Sequence, residues 1–260
     1  MNYSIEIEDN IRYIVIPELQ KLGLNNCFTT IDMDMSLKDN TMIDRVKINH
    51  EKIFKFMNIR PKEVFSSIQI HSTNIEEIKD LKYGKKCEIG HIIPDNDGFV
   101  TDLKDVVLIS KYADCTPIIL YDPIKKVHAN IHSGWRGTLK KIGSHGVDIM
   151  INKYNSNPKD IIAVLGPSID RDDFEVDIDV KELFEKAFEF NREVIFKKDE
   201  IKYLIDLKEI NKRILMDSGV KKTNITTIDL STKSNPMLHS YRRDGDKFGL
   251  MAAITSLATK

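Results

Sequence analysis

The amino-acid sequence predicts an α+β fold with a mixed sheet in a single domain, on three observations. A chain of 260 residues with 41% hydrophobic content can bury a sizeable core and is too ordered in composition for a flexible adaptor. Apolar runs of strand length recur at 64–70, 106–110, 117–121, 127–131, 161–165 and 225–230. Helical-period segments lie between some of these runs without strict βαβ alternation.

The first helix is expected from about Thr138 to Tyr154, with Leu139, Ile142 and Ile149 on its buried side and Gly143 and Gly146 allowing close packing. A second covers roughly 180–190. A third begins at Asp206, which has capping-box spacing to Glu209, and stops at Gly219, with Leu207, Ile210 and Ile214 at helical spacing. No repeat or low-complexity linker divides residues 1–260, so one domain is expected; 155–158 and 84–86 read as surface turns.

Charge narrows the partners. With 39 basic and 40 acidic side chains the formal net charge is -1, which gives no global field to gather nucleic acid or anionic lipid. A small molecule is the expected partner, for a monomer or a weak homo-oligomer. The first 16 residues lack a cationic start followed by an apolar run, and no run of about 18 apolar residues could span a bilayer. Three widely spaced cysteines, Cys27, Cys87 and Cys115, argue for reduced thiols in a cytoplasm rather than a disulfide framework.

The most informative stretch runs from Ala113 to His132. Its turn signal, Asp122-Pro123-Ile124-Lys125, has proline at the second position, as a type I turn prefers. If those four residues form the turn, Tyr121 faces Lys126 and Cys115 faces His132. One face then carries Ile118, Leu120, Val127, Ala129 and Ile131, an apolar set, and the other carries Cys115, His128, Asn130 and His132. Opposed residues have Cβ atoms about 4.5–5.5 Å apart, close enough for a thiolate and an imidazole to share a metal or to form a nucleophilic dyad.

His71 is the natural third ligand, ending the 64–70 run on the face of Gln69 and away from Ile68 and Ile70. His128 lies about 13 Å along the strand from His132 and is left out. After His132, the segment Ser133-Gly134-Trp135-Arg136-Gly137-Thr138 leads into the expected helix, whose N-terminus and Arg136 together suit an anion. Both glycines equally suit the strand-to-helix turn. Trp135, the lone tryptophan, fits either a base-stacking platform or the core.

Several blocks together resemble the bacterial YfiH-like laccase-domain family: Ala113-Asp114-Cys115, His132 through Thr138, Leu165-Gly166-Pro167-Ser168-Ile169 and Ser240-Tyr241-Arg242-Arg243-Asp244-Gly245. Asp97-Gly98-Phe99-Val100-Thr101 and Gln69-Ile70-His71 fit it too, and the order holds from about Asn25 to the C-terminus. The chain departs from the pattern at Asp172-Asp173 and Ser231, where relatives commonly carry cysteine, and at His239, where an aromatic is usual.

The resemblance implies a mixed-sheet sandwich with flanking helices, and zinc, with copper as the other candidate, on His71, Cys115 and His132. It also implies phosphorolysis of adenosine, inosine, guanosine or methylthioadenosine with phosphate, and deamination of adenosine. The alternative readings are a peptidoglycan-precursor editing hydrolase and a copper-dependent polyphenol oxidase. Three protein ligands would leave one tetrahedral position open, as in catalytic zinc sites. Cys115, Asp114, Arg136 and Arg242 are the expected catalytic residues, and Arg136, Arg242 and Gln69 the expected substrate contacts. Asp114 is a candidate acid or base, and Arg242 is preferred to Arg243 because neighbours in an extended segment point to opposite faces.

Overall fold

The structure, a computed structural model, describes residues 1–37 and 42–258, and among these two large mixed sheets stack face to face. The larger runs, from edge to edge, Ser4–Glu8, Ile11–Val15, Leu24–Thr29, Met251–Leu257, Val106–Tyr112, Glu63–Ser67, Gly90–Ile93 and Lys85–Cys87. The smaller runs Ile225–Thr227, Ile162–Leu165, Thr116–Asp122, Val127–Ser133, Gly98–Thr101 and Ile75–Glu77. A three-stranded ribbon of Glu175–Val176, Tyr203–Ile205 and Ile195–Lys197 lies outside both.

Strand alternation generates the layers. Phe28, Tyr112 and Met251 of the larger sheet meet Ile119, Tyr121 and Val164 of the smaller in the central core. The outer face of the larger sheet, with Val107 and Ile109, takes Val46 and Ile53 of the helix Ile43–Phe56. The outer face of the smaller sheet, with Ile118, Leu120, Ala129 and Ile131, takes Ile142, Val147 and Met150 of the helix Ile142–Tyr154 and Leu215 of the helix Leu207–Asp217. Helix, sheet, sheet and helix make a sandwich with flanking helices, as the sequence resemblance implies. Among the described residues no helix is long and apolar enough to cross a membrane.

Several local expectations need correction. The hairpin register is displaced by two residues: Pro117, not Cys115, pairs with His132, and Asp122 closes the turn against Val127. The cause is the Asp122 side chain, whose Oδ1 accepts from the N–H groups of Ile124 and Lys125, and Lys126, which enters the left-handed region at φ 56°. The turn therefore has four residues outside the closing pair. A shift of two keeps every side chain on its face, so the apolar set falls as expected, while Asn130 and His128 face the larger sheet.

The expected helix from Thr138 to Tyr154 is two helices, Trp135–Leu139 and Ile142–Tyr154, broken where Lys141 takes φ 59°. The 64–70 strand stops at Ser67, and Ile68 and Ile70 are exposed rather than core. The helix at 180–190 runs Ile178–Ala187 instead. At Asp206 the cap forms in one direction: its side chain accepts from Glu209 N–H, but the Glu209 carboxylate goes to Lys212 and Arg213.

His128 is fully buried between the sheets, with Nδ1 3.1 Å from Thr255 Oγ1. Burial pushes its pKa from 6.5 down to about 3. Above pH 6.5 folded and unfolded chains both hold it neutral; below that, the unfolded chain takes up a proton that the folded one refuses. Stability is therefore expected to fall as pH drops from about 6.5 toward 3. Urea midpoints measured from pH 7 to 4 should fall less steeply in a His128→Leu variant.

Candidate metal centre

Three times the chain crosses from the larger sheet to the smaller at one end of the sandwich: from Glu63–Ser67 to Ile75–Glu77, from Gly90–Ile93 to Gly98–Thr101, and from Val106–Tyr112 to Thr116–Asp122. His71, Asp97 and Cys115 sit on these three crossings in that order, and His132 lies near the end of the strand Val127–Ser133.

Asp97 organises the rest. It is fully buried, and its carboxylate accepts from His71 N–H at 3.0 Å, Ser72 N–H at 2.6 Å, Ser72 Oγ at 2.7 Å and His132 Nδ1 at 2.9 Å. Burial works to raise its pKa, but the bonds from His132 and Ser72 hold the carboxyl well below the usual range. With Nδ1 donating to Asp97, the free lone pair of a neutral His132 is on Nε2. The same carboxylate holds His71 in a left-handed backbone conformation, φ 60°, that costs energy outside glycine.

One ligand atom from each of His71, Cys115 and His132 lies within 4.8 Å of the others. Cys115 Sγ is 3.7 Å from His71 Nε2. Bonds of about 2.3 and 2.0 Å to one tetrahedral ion call for a separation of about 3.5 Å. Burial works to raise the Cys115 thiol, but the charges of His132 and then His71, with their hydrogen bonds, pull it down to about 6. Burial likewise opposes charge on His132, which the thiolate and Asp97 push up to about 9. A thiolate is the form that binds a metal.

Gly134 completes the cradle. A Cβ there would fall 2.5 Å from His71 Cδ2 and 3.1 Å from Cys115 Sγ, so the backbone approaches the cluster as only glycine can. Two imidazoles and a thiolate form a donor set suited to zinc, with one histidine oriented by a carboxylate.

The cluster opens into a cavity of about 960 Å³, at the upper end of ligand-site volumes of about 300–1,000 Å³. Trp135, Phe174, Tyr241 and Phe248 line it, with Arg136 and Arg242 among them. The Arg136 guanidinium lies over the Trp135 ring, 4.1 Å from its centroid.

Residues 21–258 match the profile of the family described as multi-copper polyphenol oxidoreductase laccase. The chain belongs to this family. A purine nucleoside phosphorylase of Bacillus subtilis, YlmD, is 34% identical over 212 residues, 80% of this chain and 76% of that protein. A Rickettsia prowazekii protein also named purine nucleoside phosphorylase is 31% identical, covering 80% of this chain and 81% of that one. The adenosine deaminase RL5, from an unknown prokaryote, is 38% identical over 130 residues, half of this chain and 49% of that one. The crystal structure of the Bacillus licheniformis protein YfiH superposes with a TM-score of 0.88 at 25% identity, over 97% of this chain and 98% of that one. That of YlmD from Geobacillus stearothermophilus also gives 0.88 at 23% identity, over 99% and 100%, a likeness of fold.

In this laccase-family chain the fold gathers the sequence-predicted residues unevenly. His71, Cys115 and His132 converge. Both Asp114 oxygens are engaged, Oδ1 by Thr232 Oγ1 at 2.6 Å and Oδ2 by Arg242 N–H at 2.7 Å. Arg242 lies in the helical turn Tyr241–Asp244 rather than an extended segment, and its Nη1 donates to Glu175 O at 2.9 Å. Arg243 points away and binds the carbonyls of Thr232 and Leu238. The Gln69 amide both donates to and accepts from the Lys111 backbone, at 2.7 and 2.8 Å. His128 and Asn130 are spent between the sheets. The helix beside the cluster has only five residues, so the anion site expected from a long helix loses most of its dipole. Sequence reading assigned Asp97 no role, although it opens the Asp97 to Thr101 block that carries part of the family resemblance and stands directly before the apolar Gly98–Thr101 strand.

An Asp97→Asn variant keeps the volume but loses the charge that orients His132. We expect zinc affinity to fall about 10–100-fold, read by competition with a chelator, with the folded far-ultraviolet spectrum retained.

Proposed function

We propose that this laccase-family chain is a zinc-dependent purine nucleoside phosphorylase that also deaminates adenosine. The observation that carries this reading is the His71, Cys115 and His132 cluster at the wall of an aromatic cavity flanked by two arginines. The names of the Bacillus subtilis and Rickettsia prowazekii relatives support phosphorolysis, and that of RL5 supports deamination. The family's descriptive name points to multicopper oxidation; against that, the described residues hold a single three-donor cluster, enough for one ion.

Zinc held by His71, Cys115 and His132 would supply Lewis-acid chemistry at the wall of the cavity. The chain's own residues do the rest. Trp135, Phe174 and Tyr241 give the cavity apolar walls that suit a purine, and Arg136 and Arg242 offer forks of donors to phosphate. Asp114 holds the turn that carries Arg242, and Gln69 fixes the wall beside His71. In phosphorolysis a phosphate oxygen bonds to the anomeric carbon while the bond to the purine nitrogen breaks. Its electron pair leaves with the base, which takes a proton. In deamination the oxygen of water replaces the amino group, which leaves as ammonia.

Zinc-loaded protein is expected to release free base from inosine, adenosine, guanosine or methylthioadenosine only when phosphate is present, with a sugar 1-phosphate as co-product. Chromatography of both products checks it; base released at the same rate without phosphate would sink the reading. Cys115→Ala should lose both zinc and turnover. Arg136→Ala should raise KM for phosphate about tenfold or more, the loss expected for charge-assisted hydrogen bonds.

A further inference from the structure

Lys111 is a cation in apolar surroundings. It is the one residue of the strand Val106–Tyr112 that is not buried, and it shares a strand face with Val107 and Ile109, which pack beneath the helix Ile43–Phe56. Leu37 and Ile92 pack against the same cluster and, with Lys111, line one side of the cavity. Burial draws the Lys111 pKa below its ordinary value.

What Lys111 lacks is an anion. Lys208, which is buried, is by contrast paired with Asp170 and donates to the carbonyls of Ile228 and Leu230, each at 3.2 Å. Lys111 forms no ion pair among the described residues, and the groups that titrate around its ammonium are Cys87, a thiol, and His50, whose imidazole burial and then the Lys111 charge keep neutral. A desolvated charge is costly until something pairs with it. The Lys111 backbone is also fixed relative to the His71, Cys115 and His132 cluster. The Gln69 amide clamps the Lys111 backbone in both directions; Gln69 stands two residues before His71, and Lys111 four before Cys115.

We propose that Lys111 forms an oxyanion subsite in the cavity that takes a phosphate group, either inorganic phosphate or the ester phosphate of a nucleotide. A lysine binds phosphate as a compact point charge, and the apolar walls around this one strengthen that attraction. Lys111 lines the same cavity as Arg136 and Arg242 and adds a third cation to it; the proposal rests on the phosphorylase reading only in taking a purine nucleoside as the rest of the ligand.

Calorimetric titration with inorganic phosphate and with inosine 5′-monophosphate, on the zinc-loaded wild type, K111M and K111R, tests the proposal. K111M keeps a long unbranched side chain that suits the apolar surroundings, and K111R keeps the charge. Expected is a loss of about tenfold or more in affinity for one or both anions in K111M, most of it recovered in K111R, with inosine bound alike by all three. Loss for inorganic phosphate alone assigns the subsite to the co-substrate, and loss for the monophosphate alone assigns it to a nucleotide ester. Unchanged anion affinity in K111M, equal loss in K111M and K111R, or a wild type that binds neither anion overturns the proposal. A wild type that binds phosphate through Lys111 yet releases no base overturns the phosphorylase reading instead.

Discussion

One buried carboxylate sets the geometry on which the site depends. Asp97 receives the ring of His132 and the backbone of His71 and Ser72, so a single side chain positions one donor directly and another through its main chain. Each of these bonds is charge-assisted and lies in a region of low dielectric, where such bonds are strongest. The left-handed backbone of His71 is held against its own preference by the same group. Cys115 lies directly before the strand that begins at Thr116 and directly after Asp114, a left-handed residue whose carboxylate is held by Thr232 and the Arg242 N–H.

The sheets around this point are joined by polar as well as apolar contacts. Asn130 reaches across to donate to the carbonyls of Leu108 and Ala253, and accepts from Ser110 Oγ at 2.6 Å. Satisfied buried groups of this kind add modest stability but disfavour any sliding of one sheet over the other. The crossings that carry His71 and Cys115 are thereby kept in register with the strand that carries His132.

The sequence was legible where a local rule decides the outcome. The hairpin placed Cys115 and His132 on one face because side-chain direction has period two, and the two-residue error in pairing left that parity intact. The error came from Asp122, whose side chain captures two N–H groups and lengthens the turn, a choice that a proline-based type I reading does not contain. The helix break at Lys140 and Lys141 has no glycine or proline to announce it. Ile68 and Ile70 have strand composition yet lie on a crossing, because Asp97, 26 or more residues on, draws the chain away from the sheet. The role of Asp97 itself depends on three segments meeting, which no single window of sequence contains.

The placement of the donors on sheet-to-sheet crossings divides the molecule into two unequal ends. At the crossing end, an inserted or deleted residue would shift His71, Asp97 or Cys115 against its neighbours, and Gly134 leaves no room for a larger side chain to compensate. The opposite end carries the Asp122 to Val127 turn, where Ile124 projects into solvent. Variation in loop length, and fusion of tags or other modules, belongs at that far end, where the backbone can be rewritten without being felt at the His71, Cys115 and His132 cluster.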